Sequence, residues 1–375
     1  MDFAFGAEDE DFRAEARRWL EAHPAGEGGR AWERKLGADG WIGLGWGSGG
    51  YGNRTATLTQ QVVWAEEYAR AGAPGRTGHI GEKLLAPTLL AYGDEEQKDR
   101  FLPAVARGEE LWCQGYSEPG AGSDLAALRT RAERDGRGHR VSGHKIWTSL
   151  AHEADWCFVL ARTEAGTRRH HGLSFLLVPM DQPGRIEVRP IRQMTGTSEF
   201  NEVFFDGAKA PHVVGGEGNG WRVAMGLLAV ERGVSTLVQQ IGFEAELGRV
   251  LRLAVESGAV TDPVLRDALV RQWAELRVMR WNALRTLGDA GDAGAPSVAK
   301  LLWGRWHQRL GELAMAVRGA AGATGPGEWS PGAYALDDLQ RMFLFSRADT
   351  IYGGSDEIQR TIIAERVLGL PKEPM

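Results

Sequence analysis

Along the chain, apolar residues recur at helical spacing, give way to alternation, and then return to helical spacing. Phe12, Ala16, Trp19 and Leu20 mark one face of a helix predicted to stop at His23, just before Pro24. A second helix is expected from about Thr55 to Ala71, with Leu58, Val62, Ala65 and Ala69 on one side. A third lies around Leu84 to Tyr92, and Asp94-Glu95-Glu96-Gln97 opens a fourth that ends near Gly108. From about residue 112 the segments shorten and are punctuated by turns. His139–Trp147, Asp155–Arg162, Leu173–Val178, Arg185–Ile191 and Glu199–Phe205 each read as a strand. After Gly220 the helical period resumes over Trp221–Ser257, Pro263–Gly288, Pro296–Arg318, Ala335–Tyr352 and Glu357–Val367.

Strands at that spacing, with no helices between them, suggest a small antiparallel sandwich or barrel. The predicted fold class is α+β multidomain. An all-α domain covers 1–112, an antiparallel β domain 113–213, and a helical bundle of the four-helix type 214–375. No internal repeat interrupts this order.

Composition narrows the function. The chain has 375 residues, 43% of them hydrophobic, enough for a large core without disulfide or metal staples. Its net charge of −6 argues against binding a phosphate backbone, so no nucleic acid partner is expected. Cys113 and Cys157 sit in apolar surroundings and read as buried thiols. No His, Cys or Asp grouping has the spacing of a metal site. The N-terminus is acidic rather than basic and apolar, and no run is long enough to span a bilayer, so a cytoplasmic protein is expected.

Two glycine-rich stretches stand out among the 51 glycines. Gly45-Trp46-Gly47-Ser48-Gly49-Gly50 matches G-x-G-x-x-G but follows no strand and opens no βαβ unit, so a tight loop between helices is expected. Ser117-Glu118-Pro119-Gly120-Ala121-Gly122-Ser123-Asp124 falls at the switch from helix to strand. Its small residues would bring backbone N–H groups close to a planar or anionic ligand, or simply open a β domain as an ordinary loop.

The run Cys113-Gln114-Gly115-Tyr116 leading into that loop resembles the signature of the acyl-CoA dehydrogenases. So do Lys145-Ile146-Trp147-Thr148-Ser149 and Ile351-Tyr352-Gly353-Gly354-Ser355-Asp356-Glu357-Ile358-Gln359-Arg360. All three fall in the family's order, and the helical, β, helical layout matches its three-domain fold. The resemblance implies FAD, held in a cleft between the β domain and the C-terminal helices. It places Tyr116 and Ser117 beside the pyrimidine end of the flavin, with Gln114 and Gly122 in the same loop region. Ser123 falls where the family contacts substrate CoA or the cofactor edge. Trp147 would cover the ring system, with Thr148 beside it, and Ser149 would offer the hydroxyl that reaches flavin N5. Ser355 and Glu357 match positions near the pyrophosphate and ribose, and an anionic Glu357 there calls for a cation or an Arg.

Family chemistry is α,β-desaturation of an acyl thioester, by removal of the α-proton and transfer of the β-hydrogen to flavin N5. A carboxylate in a dry pocket suits the proton transfer. The commonest position for that Glu corresponds here to Gly353, which has no side chain. Isovaleryl- and long-chain-type members carry the Glu on a C-terminal-half helix just before an Arg, and Glu231-Arg232 fits that site. The resemblance thus implies Glu231 as base, the Gly353 N–H as donor to the thioester oxygen, and Arg232 and Gly354 at the substrate.

The pattern breaks where most homotetrameric members bind the ADP half of a neighbour's FAD. The Arg-x-x-Phe-Gly motif and a Gln before a diglycine are both missing. Two assemblies remain open. One is a heteromer with a second acyl-CoA dehydrogenase-like chain, as in steroid side-chain members; the other is a homo-oligomer in which Arg249, Arg252 or Arg318 substitutes. The expected function is an FAD-dependent acyl-CoA dehydrogenase of lipid β-oxidation. It would act on an acyl-CoA or acyl-carrier-protein thioester and pass electrons to an electron-transferring flavoprotein. The alternatives are an acyl-CoA oxidase and a non-catalytic, partner-dependent subunit.

Overall fold

The computed structural model describes residues 5–372 apart from 25, 27, 48–49, 231–233, 288–293 and 327–334. These residues form two compact units. One comprises Phe5–Arg192 with Ser198–Arg232, and the other Gln193–Thr197 with Gly233–Met375.

The first unit begins with helices α1 (Ala7–Ala22), α2 (Gly29–Ala38), α3 (Leu58–Arg70), α4 (Ala86–Tyr92, entered through a π-helical turn at Gly81–Leu85) and α5 (Glu95–Ala106). Side-chain caps fix two of the starts. Thr57 accepts from the Gln60 N–H at α3, and Asp94 accepts from the Gln97 N–H at 2.8 Å at α5. Helix α2 was not expected, because the glycines around it hide its period. Its Trp32 and Leu36 are buried with Trp41 and Trp64, whose rings stack at 4.2 Å. Most of the N-terminal tryptophans are thus core.

One eight-stranded sheet follows: β1 (Trp112–Gly115), β2 (Arg131–Asp135), β3 (Gly138–Ser149), β4 (Trp156–Arg162), β5 (Leu173–Pro179), β6 (Ile186–Ile191), β7 (Phe200–Ala210) and β8 (His212–Val214). Its order is β6-β7-β3-β2-β4-β5-β8, with β1 also on β4. The expectation of a purely antiparallel sheet needs correction. β1 runs parallel to β4 over four residue pairs, and β2 meets β4 in parallel at Arg131 and Arg162. β1 arrives at β4 with no hairpin to set its direction, whereas β2 is hairpinned antiparallel to β3 and meets β4 through Arg131 alone. Strand β4 is buried on both faces. Phe158 and Leu160 pack with Phe101, Phe175 and Leu177, whereas Cys157, Val159 and Ala161 pack with Val141, Leu176 and Val203. Cys113 and Cys157 are paired across β1 and β4 as free, buried thiols.

Within the span expected to be helical, Trp221–Ser257, the described residues form α6 (Gly220–Val230) and α7 (Val234–Glu256), and residues 231–233 between them lie outside the described residues. Val223, Ala224 and Leu227 of α6 join the Phe101–Phe175 core.

In the second unit, α7, α8 (Pro263–Leu287) and α9 (Ala295–Arg318) pack along one another, with α10 (Asp338–Phe345) and α11 (Asp356–Ile362) against α9. Among the described residues of this unit, α7, α8 and α9 are the long helices and α10 and α11 the short ones. Phe243, Leu247, Leu276, Trp306, Leu310 and Ala314 lie in its core. Gly311 lets α10 approach closely: a β-carbon there would lie 2.9 Å from the Phe343 Cα. No described helix is long and apolar enough to cross a membrane.

Candidate functional site

In the first unit the glycine-rich loop leaves β1 and is held from below. Glu118 and Ala121 exchange backbone bonds of 3.1 and 3.0 Å, closing the loop on itself. The Glu118 carboxylate accepts from the N–H groups of Arg129 (2.7 Å) and Thr130 (2.8 Å) and from Lys145 Nζ (2.9 Å). Lys145, fully buried on β3, also donates to the Tyr116 carbonyl at 3.0 Å. Burial disfavours the charged form of Glu118, yet Lys145 and the N–H donors hold its carboxyl below the usual carboxylate range. Burial pulls Lys145 down from the usual ammonium value, against the pull of Glu118. The three N–H donors converging on the carboxylate make the pair ionic.

The loop's upper face is open. A β-carbon at Gly120 or Gly122 would touch nothing within 4 Å, and neither glycine adopts a positive φ. Neither packing nor strain within the chain requires glycine there, so the bare backbone suits the close approach of a ligand. Ser117 and Gln114 are half-buried and Ser123 is exposed, whereas Tyr116 is buried against Phe158 and Phe175.

Strand β3 carries the next group through a bulge. It advances three residues from Lys145 to Thr148 while β7 advances two from Val203 to Asn201. The extra residue puts Trp147 at φ +61°, a conformation that a bulky side chain rarely adopts. The residue is 56% exposed, with its ring edge-on to Phe200 at 6.2 Å. A large apolar ring held outward at a backbone cost is the kind of outlier that marks a binding surface. The bulge is anchored by the Ile146 N–H on the Ser117 carbonyl (3.0 Å) and by Asn201 Nδ2 on the Thr148 carbonyl (3.0 Å). Ser149 is half-buried, but Thr148 is fully buried, so its side chain packs inward rather than presenting to a ligand.

In the second unit, the motif after α10 passes through a 3₁₀ turn (Ser346–Thr350) into Gly353 at φ +64° and Gly354 at φ +89°. Buried Gln359 clamps this turn, its Nε2 donating to the carbonyls of Gly353 (3.2 Å) and Gly354 (3.3 Å). Ser355 caps α11, accepting from the Ile358 N–H, and Glu357 is exposed with Arg360 at 3.8 Å.

Behind the motif lies a buried polar chain. Tyr352 donates to Asp349 Oδ1 (2.6 Å), and the other oxygen of Asp349 faces His307 Nδ1 (2.6 Å). His307 Nε2 faces Glu246 (2.9 Å). With a carboxylate at each ring nitrogen, the imidazole is a double donor and carries a proton. Burial opposes that charge, but the two carboxylates outweigh it and raise His307 to about 9. Burial, reinforced by the negative charge of Asp349, raises the Tyr352 phenol as well. Lys300, on α9, donates to the Asp349 carbonyl and lies over the rings of Trp303 (3.9 Å) and Tyr352 (4.8 Å).

The structure thus gathers Gln114, Tyr116, Ser117, Gly122, Ser123, Trp147, Thr148 and Ser149 in one unit, and Gly353, Gly354, Ser355 and Glu357 in the other. Glu231 and Arg232 lie outside the described residues. Among the substitutes considered for the ADP contacts, Arg318 is ion-paired to Asp337, and Arg249 and Arg252 are exposed on α7. The supporting residues Glu118, Lys145, Gln359, His307, Asp349 and Glu246 were not expected. The available hint was charge at positions whose neighbours are apolar, as with Lys145 inside a strand. No cluster of three or more metal-ligating side chains occurs among the described residues.

Three family profiles match in succession: "Acyl-CoA dehydrogenase, N-terminal domain" over 6–109, "middle domain" over 113–208 and "C-terminal domain" over 218–368. "Acyl-CoA dehydrogenase IpdE1" of Mycobacterium tuberculosis is 54% identical, over 97% of this chain and 98% of that protein. Two solved structures each match 100% of both chains. "Tcur3481-Tcur3483 steroid ACAD" has a TM-score of 0.87 at 30% identity. The "ChsE4-ChsE5 complex from Mycobacterium tuberculosis" has a TM-score of 0.83 at 31% identity.

Proposed function

The chain belongs to the acyl-CoA dehydrogenase family of oxidoreductases, and from that premise we propose that it desaturates an acyl thioester between Cα and Cβ using FAD, with Glu231 as the base. The observation that carries this reading is Gly353. The usual base position has no side chain and lies in a left-handed turn clamped by Gln359, while Glu231-Arg232 supplies the carboxylate of the alternative placement.

The residues present fit a flavin. The open backbone at Gly120 and Gly122, the outward ring of Trp147 and the hydroxyls of Ser117 and Ser149 would hold it. Bound FAD would supply the hydride acceptor for the β-hydrogen. The chain's own residues do the rest. Glu231 takes the α-proton, and the Gly353 N–H donates to the thioester oxygen as negative charge develops there.

The assembly proposed is a heteromer with a second acyl-CoA dehydrogenase-like chain. Both ADP-binding elements are absent from the sequence, and Arg318 is committed to Asp337. Helix α8 also exposes Val270, Trp273, Val278 and Trp281 along one side, an apolar stripe that suits a protein partner. Two structural neighbours are described as two-component proteins, one of them as a steroid dehydrogenase. Bulky acyl groups on CoA or a carrier protein, a cytoplasmic site and an electron-transferring flavoprotein acceptor complete the proposal.

The test is anaerobic titration of the purified holoenzyme, alone and with a co-expressed partner, against short, long, branched and steroid-side-chain acyl-CoAs. Flavin bleaching by one class supports the reading. A colourless chain that is never reduced, alone or in complex, indicates a non-catalytic subunit, and peroxide release in air indicates an oxidase.

A further inference from the structure

The Gly353 N–H belongs to the peptide that joins Tyr352 to Gly353, so whatever fixes Tyr352 also fixes the direction of that donor. The peptide opens onto two consecutive glycines with positive φ, +64° at Gly353 and +89° at Gly354. Glycine backbone is the most permissive of all, so a donor placed there is aimed only if both of its flanks are held. Gln359 holds the C-terminal flank through the carbonyls of Gly353 and Gly354. On the N-terminal flank the Tyr352 N–H donates to the Ala348 carbonyl at 3.0 Å, and the Tyr352 hydroxyl donates to Asp349 Oδ1 at 2.6 Å. These two bonds tie the backbone and the side chain of Tyr352 to one turn.

Asp349 is itself buried and held. Its second oxygen accepts from His307 Nδ1 at 2.6 Å, and the far nitrogen of His307 donates to Glu246 of α7 at 2.9 Å. A carboxylate with one oxygen on an imidazolium and the other on a phenol has a fixed orientation, and each bond polarises the next. Burial and the charge of Asp349 both raise the phenol, so it keeps the proton that it donates. The Phe243 ring covers His307 at 4.6 Å, and Lys300 donates to the Asp349 carbonyl. Charged groups on the other elements packed against α9 engage elsewhere along it. Glu275 of α8 pairs with Arg309, Arg347 after α10 with Glu312, and Asp356 of α11 with Arg305.

We propose that His307 and Asp349 are positioning residues of the reaction: they hold Tyr352 so that the Tyr352–Gly353 peptide presents its N–H to the thioester oxygen. Negative charge grows on that oxygen as the α-proton passes to the carboxylate base. A donor aimed beforehand therefore stabilises the transition state more than the substrate. Loosening Tyr352 costs rate rather than affinity. This inference rests on the function proposed above, in which the Gly353 N–H receives the thioester oxygen.

The test is stopped-flow, anaerobic flavin reduction by whichever acyl-CoA of the panel reduces the wild-type holoenzyme, giving a limiting rate and a half-saturating concentration. Tyr352→Phe keeps the ring and loses the hydroxyl. It should lower the limiting rate about 10–100-fold and leave half-saturation near wild type. His307→Gln should do the same, and the double variant should be no slower than the slower single one, because both changes cut one chain. The wild-type limiting rate should also fall as pH rises through about 9, where His307 gives up its proton, and Tyr352→Phe should lack that limb. Unchanged limiting rates in folded, flavin-loaded single variants overturn the inference, as do multiplicative losses in the double variant. Should His307→Gln not fold, persistence of the alkaline limb in Tyr352→Phe overturns it equally. A wild-type flavin that no acyl-CoA reduces overturns the proposed function, and this inference falls with it.

Discussion

The Glu118 carboxylate and the Lys145 ammonium meet at 2.9 Å beneath the glycine-rich loop, and this ion pair ties that loop to the strand that carries Trp147. Both side chains are buried, and removing one partner would strand the other's charge. Glu118→Gln should therefore cost about 3–5 kcal/mol of stability, read by urea unfolding, and should lower flavin retention with it. Because Glu118 is held below its ordinary range, its contribution is present above the unfolded carboxylate pKa. It is lost as pH falls through the depressed folded value. The variant should thus show a flatter acid limb than wild type.

His307 has the opposite sign. Its pKa is raised from 6.5 to about 9 by Asp349 and Glu246, against burial. Its contribution is complete below the unfolded value of 6.5 and disappears as pH rises through about 9. The shift corresponds to about 3 kcal/mol. Denaturant midpoints measured across that window should fall for wild type and stay flatter for His307→Gln. Identical slopes would remove the imidazolium from the account.

Trp147 separates binding from stability. More than half of the residue is exposed and its backbone is left-handed, so Trp147→Gly forfeits only part of a buried side chain and relieves about 1–2 kcal/mol of strain. The two effects offset, so the variant should unfold near the wild-type midpoint yet bind FAD more weakly. Unchanged flavin affinity would take Trp147 out of the site.

The two glycines of the C-terminal turn should differ. Both have positive φ, but a β-carbon at Gly354 would come within 2.5 Å of Gln359 Nε2, whereas at Gly353 it meets Lys300 at ordinary contact distance. Gly354→Ala should therefore cost about 1–3 kcal/mol more than Gly353→Ala in thermal unfolding, through the lost Gln359 clamp. Equal costs would mean that the clamp contributes nothing.

Glu231→Gln tests the base. The variant should bind flavin normally but not be bleached by an acyl-CoA that bleaches wild type under anaerobic conditions. Normal bleaching would remove Glu231 from the mechanism.

The amino-acid sequence on its own determined the order of helical, β and helical regions and the family's loop and turn motifs. Those signals are local: an apolar period, a cap such as Asp94, or a run of neighbouring residues declares itself within a few positions. Tertiary structure alone decided which partners the short strands took. A four-residue strand such as β1 has no period long enough to specify direction, and it runs parallel to β4, which is buried on both faces. It likewise decided the charges beneath the motifs. Glu118 and Lys145 are separated by 27 residues, and His307 stands 61 from Glu246 and 42 from Asp349. A charged side chain reads as solvated until the fold removes water from around it, and only then does its partner become a physical necessity. Gly353 shows both levels. Its missing side chain was legible in the sequence, but only the packing of α9 revealed that Lys300 stands where that side chain would point.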